Sequence, residues 1–224
     1  MIYTIGDSFT YGAELKDPSQ DAWPSLLSKL LNKPVTNLGQ PGVSNTSIIE
    51  KIIDVVYKED SELIIIAWTS YLRTQQFDGE SYDTWPGAIH CKKKLSVQMT
   101  DNLTRSYDDG YNVWAYKNWL RQIILTQTLL KHLNKKYLMA VAFHTWGNLY
   151  NSQYLWDRID LNNFMGVLNK NDTYHENFGV WAVDTPKGPN DHPLELGHKM
   201  IAEKINEHIR NQRRIPRCWG QCNS

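Results

Sequence analysis

A serine near the amino terminus is the strongest candidate for a reactive group. It lies in the run Gly6-Asp7-Ser8-Phe9-Thr10, which follows a short apolar segment, Ile2–Ile5, that is typical of a β-strand. In an open α/β sheet, ligands bind at the carboxyl ends of the strands, so Ser8 would stand where chemistry takes place. Backbone N–H groups at the start of a helix can stabilise developing negative charge there. A turn in which the serine caps a helix explains the same residues, so the partners of Ser8 decide between the two interpretations.

The partners that such a serine needs follow in a suitable order. Asn37-Leu38-Gly39 ends a second strand candidate, and Gly39 either presents its N–H to an oxyanion or serves a turn that needs positive φ. Asp191-His192-Pro193 precedes the last predicted helix, so the ring of His192 can reach back towards Ser8. A serine, a histidine that takes its proton and N–H groups that hold an oxyanion are together the machinery of acyl transfer.

The elements that must position these residues alternate between strand and helix. Apolar runs and helical spacing predict strands at 2–5, 33–38, 63–67 and 136–143, and helices over 21–31, 44–56, 111–133 and 193–210. The run Leu63–Ala67 shows no alternation of polarity, as expected for a strand that is covered on both faces. The sequence therefore predicts an α/β fold: a flavodoxin-like, three-layer, doubly wound sheet of about five parallel strands with helices on both faces.

Two long segments interrupt this alternation. Residues 70–110 and 144–190 are polar and aromatic with little periodicity, which is typical of functional loops or lids. Much of the aromatic excess of the chain, nine Trp and twelve Tyr, falls in these segments. We expect about half of the tryptophans there to anchor loops to the core and the rest to line a sugar-stacking cleft above Ser8. The tryptophans concerned are Trp68, Trp85, Trp146 and Trp156.

Composition narrows the class of protein. The 224 residues carry 24 Lys and Arg against 24 Asp and Glu, and this balance argues against nucleic acid as a partner. No run approaches the roughly 18 apolar residues of a membrane span, and no secretory signal is seen, which favours the cytoplasm. We expect one domain over residues 1–224, with a basic tail at about 211–224. The oligomeric state and the pairing of Cys218 with Cys222 are left open.

The motifs resemble those of the SGNH (GDSL-type) hydrolase family over nearly the whole chain. Gly6-Asp7-Ser8-Phe9-Thr10 is similar to the block that carries the nucleophilic serine, and Gly39 to the oxyanion-hole glycine of the second block. Pro189-Asn-Asp-His192-Pro193 resembles the last block, which carries the catalytic histidine. The resemblance implies an acyl-enzyme mechanism in which His192 activates Ser8, while the N–H groups of Ser8 and Gly39 hold the oxyanion. It implies no metal and no organic cofactor.

The third block departs from the family pattern. It reads Ala67-Trp68-Thr69-Ser70 where the family usually has Gly-x-Asn-Asp, so the Asn side chain that completes the oxyanion hole is missing. A hydroxyl of Thr69 or Ser70 would take its place. Losing one such donor can cost roughly 100- to 1000-fold in turnover. The segment resembles that of phage-encoded relatives, which implies a phage-type variant and, for such a protein, a place in the virion.

The acid of the last block is displaced as well. The family places an Asp three residues before the histidine, and this chain has Pro189 there. Asp191 ranks slightly above Asp184 as the group that orients His192, although an adjacent side chain seldom reaches its neighbour's ring. A Ser–His dyad with a backbone carbonyl in this role is the third alternative.

Together these features predict a serine esterase that removes a small acyl group, such as acetyl, from a carbohydrate. The candidate substrate-binding residues are Asp7, Asn45, Trp68, Arg73 and His144. Arg73 either binds a substrate carboxylate or pairs with Asp78 or Glu80. The other histidines, His198 among them, are expected to serve on the surface or as caps. Two alternatives remain: a catalytically degenerate binding or structural protein, for example in a phage particle, and an O-acyltransferase.

Overall fold

A parallel sheet of four strands lies at the centre of the fold. The computed structural model describes residues 1–58, 60–77, 81–84, 109–142, 151–165 and 177–214. The sheet consists of β1 (Ile2–Ile5), β2 (Val35–Asn37), β3 (Leu63–Trp68) and β6 (Tyr137–Val141), and β4 (Thr74–Phe77) and β5 (Ser81–Thr84) form a separate antiparallel pair. The spatial order in the sheet is β2-β1-β3-β6, so the chain winds outwards from β1 in both directions.

Helices connect and cover the strands. They are α1 (Ser8–Tyr11), α2 (Pro18–Asp21), α3 (Trp23–Leu31), α4 (Asn45–Val56), α5 (Asp109–His132), α6 (Gln153–Trp156), α7 (Phe178–Trp181) and α8 (Glu195–Arg214), with a 3-10 turn at Leu161–Asn163. Pro24 stands in the first turn of α3, where its missing N–H costs nothing, as the sequence predicts. The hydroxyl of Ser44 accepts the N–H of Ser47 and caps α4. None of the helices in the described part of the chain is both long and apolar enough to cross a membrane.

Two apolar layers cover the two faces of the sheet. On one face the sheet packs against α4 and α5, and on the other against α3 and α8. Successive residues of β3 alternate between the layers, with Ile64 and Ile66 in the first and Ile65 and Ala67 in the second, and all four are fully buried. This explains why the strand shows no alternation of polarity, and it confirms the predicted doubly wound α/β fold.

The described part of the sheet has four parallel strands, where we expected about five. A single parallel bridge between Met139 and Phe164 marks the position next to β6, where the N–H of Met165 donates to the carbonyl of Met139 at 2.7 Å. The residues that directly follow Met165 lie outside the described part of the chain.

The two segments that we expected to be irregular contain short elements. Residues 70–110 include the β4–β5 hairpin, and residues 144–190 include α6, the 3-10 turn and α7. The sequence signal for the hairpin is Asp78-Gly79, a dipeptide that favours tight turns between strands. Each of these elements is at most four residues long, too short to carry a periodic pattern.

A buried histidine caps α3 from across the fold. Ala22, the N-cap residue of α3, has no side-chain acceptor, and Nδ1 of His198 on α8 accepts the N–H of Trp23 instead, at 3.1 Å. This is the capping role expected for one of the remaining histidines. Burial, together with the nearby His192, lowers the pKa of His198 to about 4. His198 is therefore neutral in the folded protein near neutral pH, and it ties α3 to α8.

The variant His198→Asn is expected to lose less stability in acid than the wild type does. The unfolded wild type takes up a proton at His198 near its ordinary pKa of 6.5 and the folded protein only near 4, so stability falls as the pH drops through this window. Asparagine keeps an acceptor near the Nδ1 position and does not titrate. Urea unfolding at about pH 7 and about pH 4.5 measures how much unfolding free energy each protein loses in acid. This loss should be about 2 kcal/mol smaller in the variant than in the wild type. Equal losses in the two proteins would contradict the neutral, buried state of His198.

Candidate functional site

Ser8 begins the short helix α1 at the carboxyl end of β1, where the sequence places it. The carboxylate of Asp7 accepts the N–H of Phe9 at 3.0 Å and caps the helix. Ser8 is 3% exposed, and within the described residues its Oγ has no hydrogen-bond partner. A buried hydroxyl without a partner costs free energy, so packing alone does not account for a serine at this position.

Asp7 is the centre of a buried polar cluster behind Ser8. Asp7 is fully buried, and its Oδ2 accepts the hydroxyl of Thr69 at 2.6 Å and lies 3.7 Å from Nη1 of Arg73. Burial raises the pKa of Asp7, and the charge of Arg73 and the hydrogen bonds from Thr69 and Phe9 oppose the rise. The carboxylate of Asp7, which we expected to bind substrate, is engaged here with Thr69 and Phe9 in the interior. Arg73 contacts Asp7, while Asp78 and Glu80 lie outside the described residues.

The residues that follow β3 are held by Asn45, the first residue of α4. Its carboxamide accepts the N–H of Thr69 at 3.1 Å and donates to the carbonyls of Thr69 and Ser70 at 3.3 and 3.0 Å. Asn45 is 2% exposed, so it acts as a clamp on this backbone. We expected Asn45 to bind substrate, and in this structure its carboxamide is bonded to the backbone of Thr69 and Ser70.

The two hydroxyls predicted as the third oxyanion donor differ in their surroundings. The Thr69 hydroxyl already donates to Asp7, so in this conformation it is not available to a substrate. The Ser70 oxygen accepts the N–H of Leu72 at 3.3 Å, and no bond donated by its hydroxyl is found within the described ranges. Ser70 is therefore the better candidate of the two.

Gly39 lies where the loop after β2 passes the end of α1. A Cβ at this position would lie 2.4 Å from the backbone N of Tyr11, so the close approach, and not positive φ, requires glycine here. The N–H of Gly39 donates to Oδ1 of Asn37 at 2.9 Å, and Nδ2 of Asn37 donates to the carbonyl of Thr10 at 2.9 Å. The amide that we expected to face an oxyanion is thus bound to Asn37.

His192 is held beside α1 by an acid that the sequence did not indicate. Its Nδ1 lies 2.9 Å from Oε2 of Glu14, and its ring centroid lies 5.6 Å from that of Phe9, the residue after Ser8. The turn therefore places the predicted base against Phe9, the neighbour of the predicted nucleophile. In the described structure no hydrogen bond joins Ser8 Oγ to the ring of His192.

Neither of the predicted acids contacts His192. The Asp191 side chain is 86% exposed and lies 3.5 Å from Nζ of Lys187, and the positive φ of Asp191, 66°, directs the chain so that its neighbour faces Glu14. Asp184 is exposed, and no hydrogen bond or ion pair of its side chain with another described residue is found. In this conformation the carboxylate that contacts the His192 ring is that of Glu14.

Trp68 and Trp156 serve the core. Trp68 is fully buried and Trp156 is 8% exposed, with its Nε1 donating to Tyr116 Oη at 2.9 Å. Trp156 thus lies in the core, as we expected for about half of these tryptophans, and Trp68, which we expected to bind substrate, lies in the core as well. Several other predictions fall outside the described residues: His144, Trp85, Trp146, Cys218 and Cys222.

Exposed aromatic side chains lie at the same edge of the sheet as Ser8. Because α5 leads into β6, its first turns lie towards the carboxyl ends of the strands, and Tyr71, just after β3, contacts Tyr116 of α5 with ring centroids 5.3 Å apart. One turn earlier, the rings of Tyr111 and Trp114 lie 5.7 Å apart, and Trp114 is 54% exposed. An aromatic pair with one exposed face can stack against a flat ligand such as a sugar ring.

A cavity of about 390 Å³ lies between the loop after β2 and α4. Tyr11, Gly39 and Gln40 line one side and Lys51 the other, where its Nζ donates to Gln40 Oε1 at 2.7 Å. This volume is in the range of small-molecule sites. Among the described residues no group of three His, Cys, Asp or Glu side chains is placed to hold a metal ion.

Comparisons with known proteins agree with this fold. A model of a family of unknown function, DUF6071, matches residues 13–221, and no curated protein matches the chain. TesA has a TM-score of 0.56 at 13% identity, over 94% of this chain and 98% of that one. A catalytic mutant of Axe2, an acetylxylan esterase from Geobacillus stearothermophilus, has a TM-score of 0.54 at 11% identity, over 93% of each chain.

A third structure is larger than this protein. It is a two-domain esterase, CEX, active on acetylated mannans and crystallised with mannopentaose, with a TM-score of 0.52 at 13% identity. The match covers 94% of this chain and 48% of that one, so the chain spans about half of its length. At these identities the likeness shows the fold, and it agrees with the α/β architecture predicted from the sequence.

Proposed function

The chain belongs to the family DUF6071, and we propose that it is a serine esterase that removes a small acyl group, such as acetyl, from a carbohydrate. The observation that carries the proposal is the buried Ser8 hydroxyl, which has no hydrogen-bond partner among the described residues and lies in a helix whose next residue, Phe9, packs against the ring of His192. A serine becomes nucleophilic when an adjacent base takes its proton, and histidine is the commonest such base.

In the proposed reaction, Ser8 Oγ attacks the ester carbonyl while Nε2 of His192 takes the hydroxyl proton. His192 then protonates the leaving alcohol, and water, activated by the same ring, releases the acid from the acyl-enzyme. In this proposal the hydrogen bond between Ser8 and His192 forms when substrate binds, because catalytic hydrogen bonds tighten at that step.

The oxyanion is stabilised by donors from three segments in this proposal. Ser8 contributes its N–H in the first turn of α1, where helix amides have no intrahelical acceptor, and Ser70 contributes its hydroxyl. Gly39 joins them only when its N–H leaves Asn37.

The carbohydrate part of the proposal rests on the aromatic pair of α5. Tyr111 and Trp114 lie at the edge of the sheet that carries Ser8, and the exposed ring of Trp114 offers a stacking surface for a sugar. Two structures of the same fold belong to esterases described as acting on acetylated xylan or mannans, which agrees with this substrate class.

A fluorophosphonate probe is expected to label Ser8 in the native protein, because the probe reacts with an activated serine and needs no knowledge of the substrate. Mass spectrometry of the digested protein locates the label. Ser19, whose hydroxyl is bonded to Asp17 at the exposed start of α2, provides the internal control and should stay unlabelled. Labelling of Ser19 together with Ser8, or no labelling at all, would contradict an activated Ser8.

The same preparation tests the substrate class. Release of acetate from p-nitrophenyl acetate and from acetylated manno- or xylo-oligosaccharides is the expected result. Hydrolysis of p-nitrophenyl acetate alone would support the proposed esterase activity and contradict the proposed carbohydrate substrate. Transfer of the acetyl group to an added alcohol in place of water would identify an O-acyltransferase, and absence of both labelling and hydrolysis would identify a degenerate binding or structural protein.

A further inference from the structure

We propose that Glu14 is the positioning residue that orients His192 for the attack of Ser8; this inference rests on the proposed function. Glu14 lies 178 residues from His192 in the chain, between α1 and α2, and its Oε2 is 2.9 Å from His192 Nδ1. It thus takes the place of the acid that the last block lacks. Nucleophile and acid then come from the amino-terminal part of the chain, and only the base comes from the last block.

The contact fixes the tautomer that the reaction needs. A carboxylate is an acceptor only, so the proton of the neutral ring lies on Nδ1 and is donated to Glu14. Nε2 then carries the lone pair that accepts the proton of Ser8. The carboxylate also stabilises the imidazolium that forms when this proton arrives.

The turn that carries His192 is built around the Glu14 carboxylate. The N–H and the side-chain amide of Asn190 donate to Oε1 of Glu14 at 3.0 and 2.7 Å, and the N–H of His192 donates to Oε2 at 3.3 Å. A Cβ at Gly188 would lie 2.5 Å from Oε2, so glycine lets the backbone of the turn close over the carboxylate. The Glu14 side chain is 15% exposed, and these bonds hold it in one orientation.

The charges around the pair favour an ionised Glu14. Burial alone would raise the pKa of Glu14, but the hydrogen bonds from His192 and Asn190 outweigh it and hold the pKa below its ordinary value. The other titratable groups that act on His192 are Asp7, buried behind Ser8, and His198 on α8, which is neutral. Lys187 and Asp191 of the same turn face solvent and pair with each other.

The variant Glu14→Gln tests whether the carboxylate orients His192, because it changes the shape of the side chain very little. Glutamine keeps an acceptor and the size of the side chain but loses the charge, and we expect kcat/KM for p-nitrophenyl acetate to fall roughly 10²- to 10⁴-fold. Glu14→Asp, which keeps the charge on a shorter side chain, should lose less. Asp191→Asn removes the same charge from the exposed neighbouring carboxylate, and its rate should stay within about twofold of the wild type because Asp191 does not contact the ring.

A purely structural role of Glu14 would move stability and leave the pH dependence of the reaction unchanged. We therefore expect the acid limb of the kcat/KM profile to move to lower pH in Glu14→Gln, because the lost carboxylate no longer favours the charged ring. Thermal unfolding of each variant separates misfolding from this effect. An active wild type with an unchanged rate and pH profile in Glu14→Gln overturns the inference alone. A wild type that neither hydrolyses esters nor takes the label overturns the proposed function, and the role of Glu14 with it.

Discussion

Replacing His192 by alanine is expected to lower kcat/KM for p-nitrophenyl acetate by roughly 10⁴- to 10⁶-fold, as the loss of a base from a serine-based site does. Without the ring nothing else in the described site is placed to take the proton of Ser8: Glu14 contacts Nδ1 on the far side of His192, and Asp7 is engaged with Thr69 and Phe9. The side chain of His192 is 18% exposed and packs on Phe9, so its truncation should cost far less in stability than in activity. Steady-state hydrolysis, with circular dichroism as a check of folding, measures both effects.

The combination of His192→Ala with Ser8→Ala sharpens this test. Because nucleophile and base act as one unit, the double variant should lose no more than either single variant. His208→Gln is the control, since His208 lies on the far part of α8, where it contacts Gln212. It should retain the wild-type rate within about twofold. If the His192→Ala protein kept a tenth of the wild-type rate, His192 would not be the base of the reaction.

The main strands and helices of this fold could be predicted because the long ones show clear patterns of apolar residues in the sequence. β3 is a continuous apolar run and α4 repeats isoleucines at helical spacing, so both were found nearly to the residue. Parallel strands bring their carboxyl ends to one edge, and this rule alone placed Ser8 beside the residues that follow β3. The same rule places Asp7, Thr69 and Arg73 at one edge of the sheet, but it does not predict the direction of each hydrogen bond between them.

The acid could not be predicted, because its identity depends on a turn whose backbone the sequence does not reveal. Proximity in the chain favoured Asp191, yet the positive φ at Asp191 sends its carboxylate to solvent and leaves Nδ1 of His192 to Glu14. One signal was available: Pro189 occupies the place of the family's acid, which indicates that the acid comes from another segment. The choice of Glu14 among the many acids of the chain needed the three-dimensional contact.

The sequence also could not predict which oxyanion donors are available, because this depends on single hydrogen bonds. The glycine at position 39 was recognised correctly as a constrained position, but the constraint is the backbone of Tyr11, against which no Cβ fits. The amide itself is taken by Asn37, and the Thr69 hydroxyl by Asp7. Residue type and position along a strand therefore identify which groups reach the site, while their neighbours decide which of them remain available to a substrate.

The variant Asp7→Ala is expected to lower the free energy of unfolding by about 3 kcal/mol, from three losses at one buried position. It removes the cap of α1, deprives the buried Thr69 hydroxyl of its acceptor, and takes away the carboxylate that lies 3.7 Å from Arg73.

Asp17→Ala is the matched control for the cap, because Asp17 caps α2 by accepting the N–H of Ser19 at 3.0 Å, the same bond that Asp7 makes with Phe9, but at an exposed position. It should cost about 1 kcal/mol. Asp7→Asn can still cap α1 and loses only the charge that faces Arg73. Its loss of unfolding free energy should therefore lie between those of Asp7→Ala and Asp17→Ala. Urea unfolding near pH 7 ranks the three variants, and equal losses in Asp7→Ala and Asp17→Ala would show that the buried cluster behind Ser8 adds nothing to the cap.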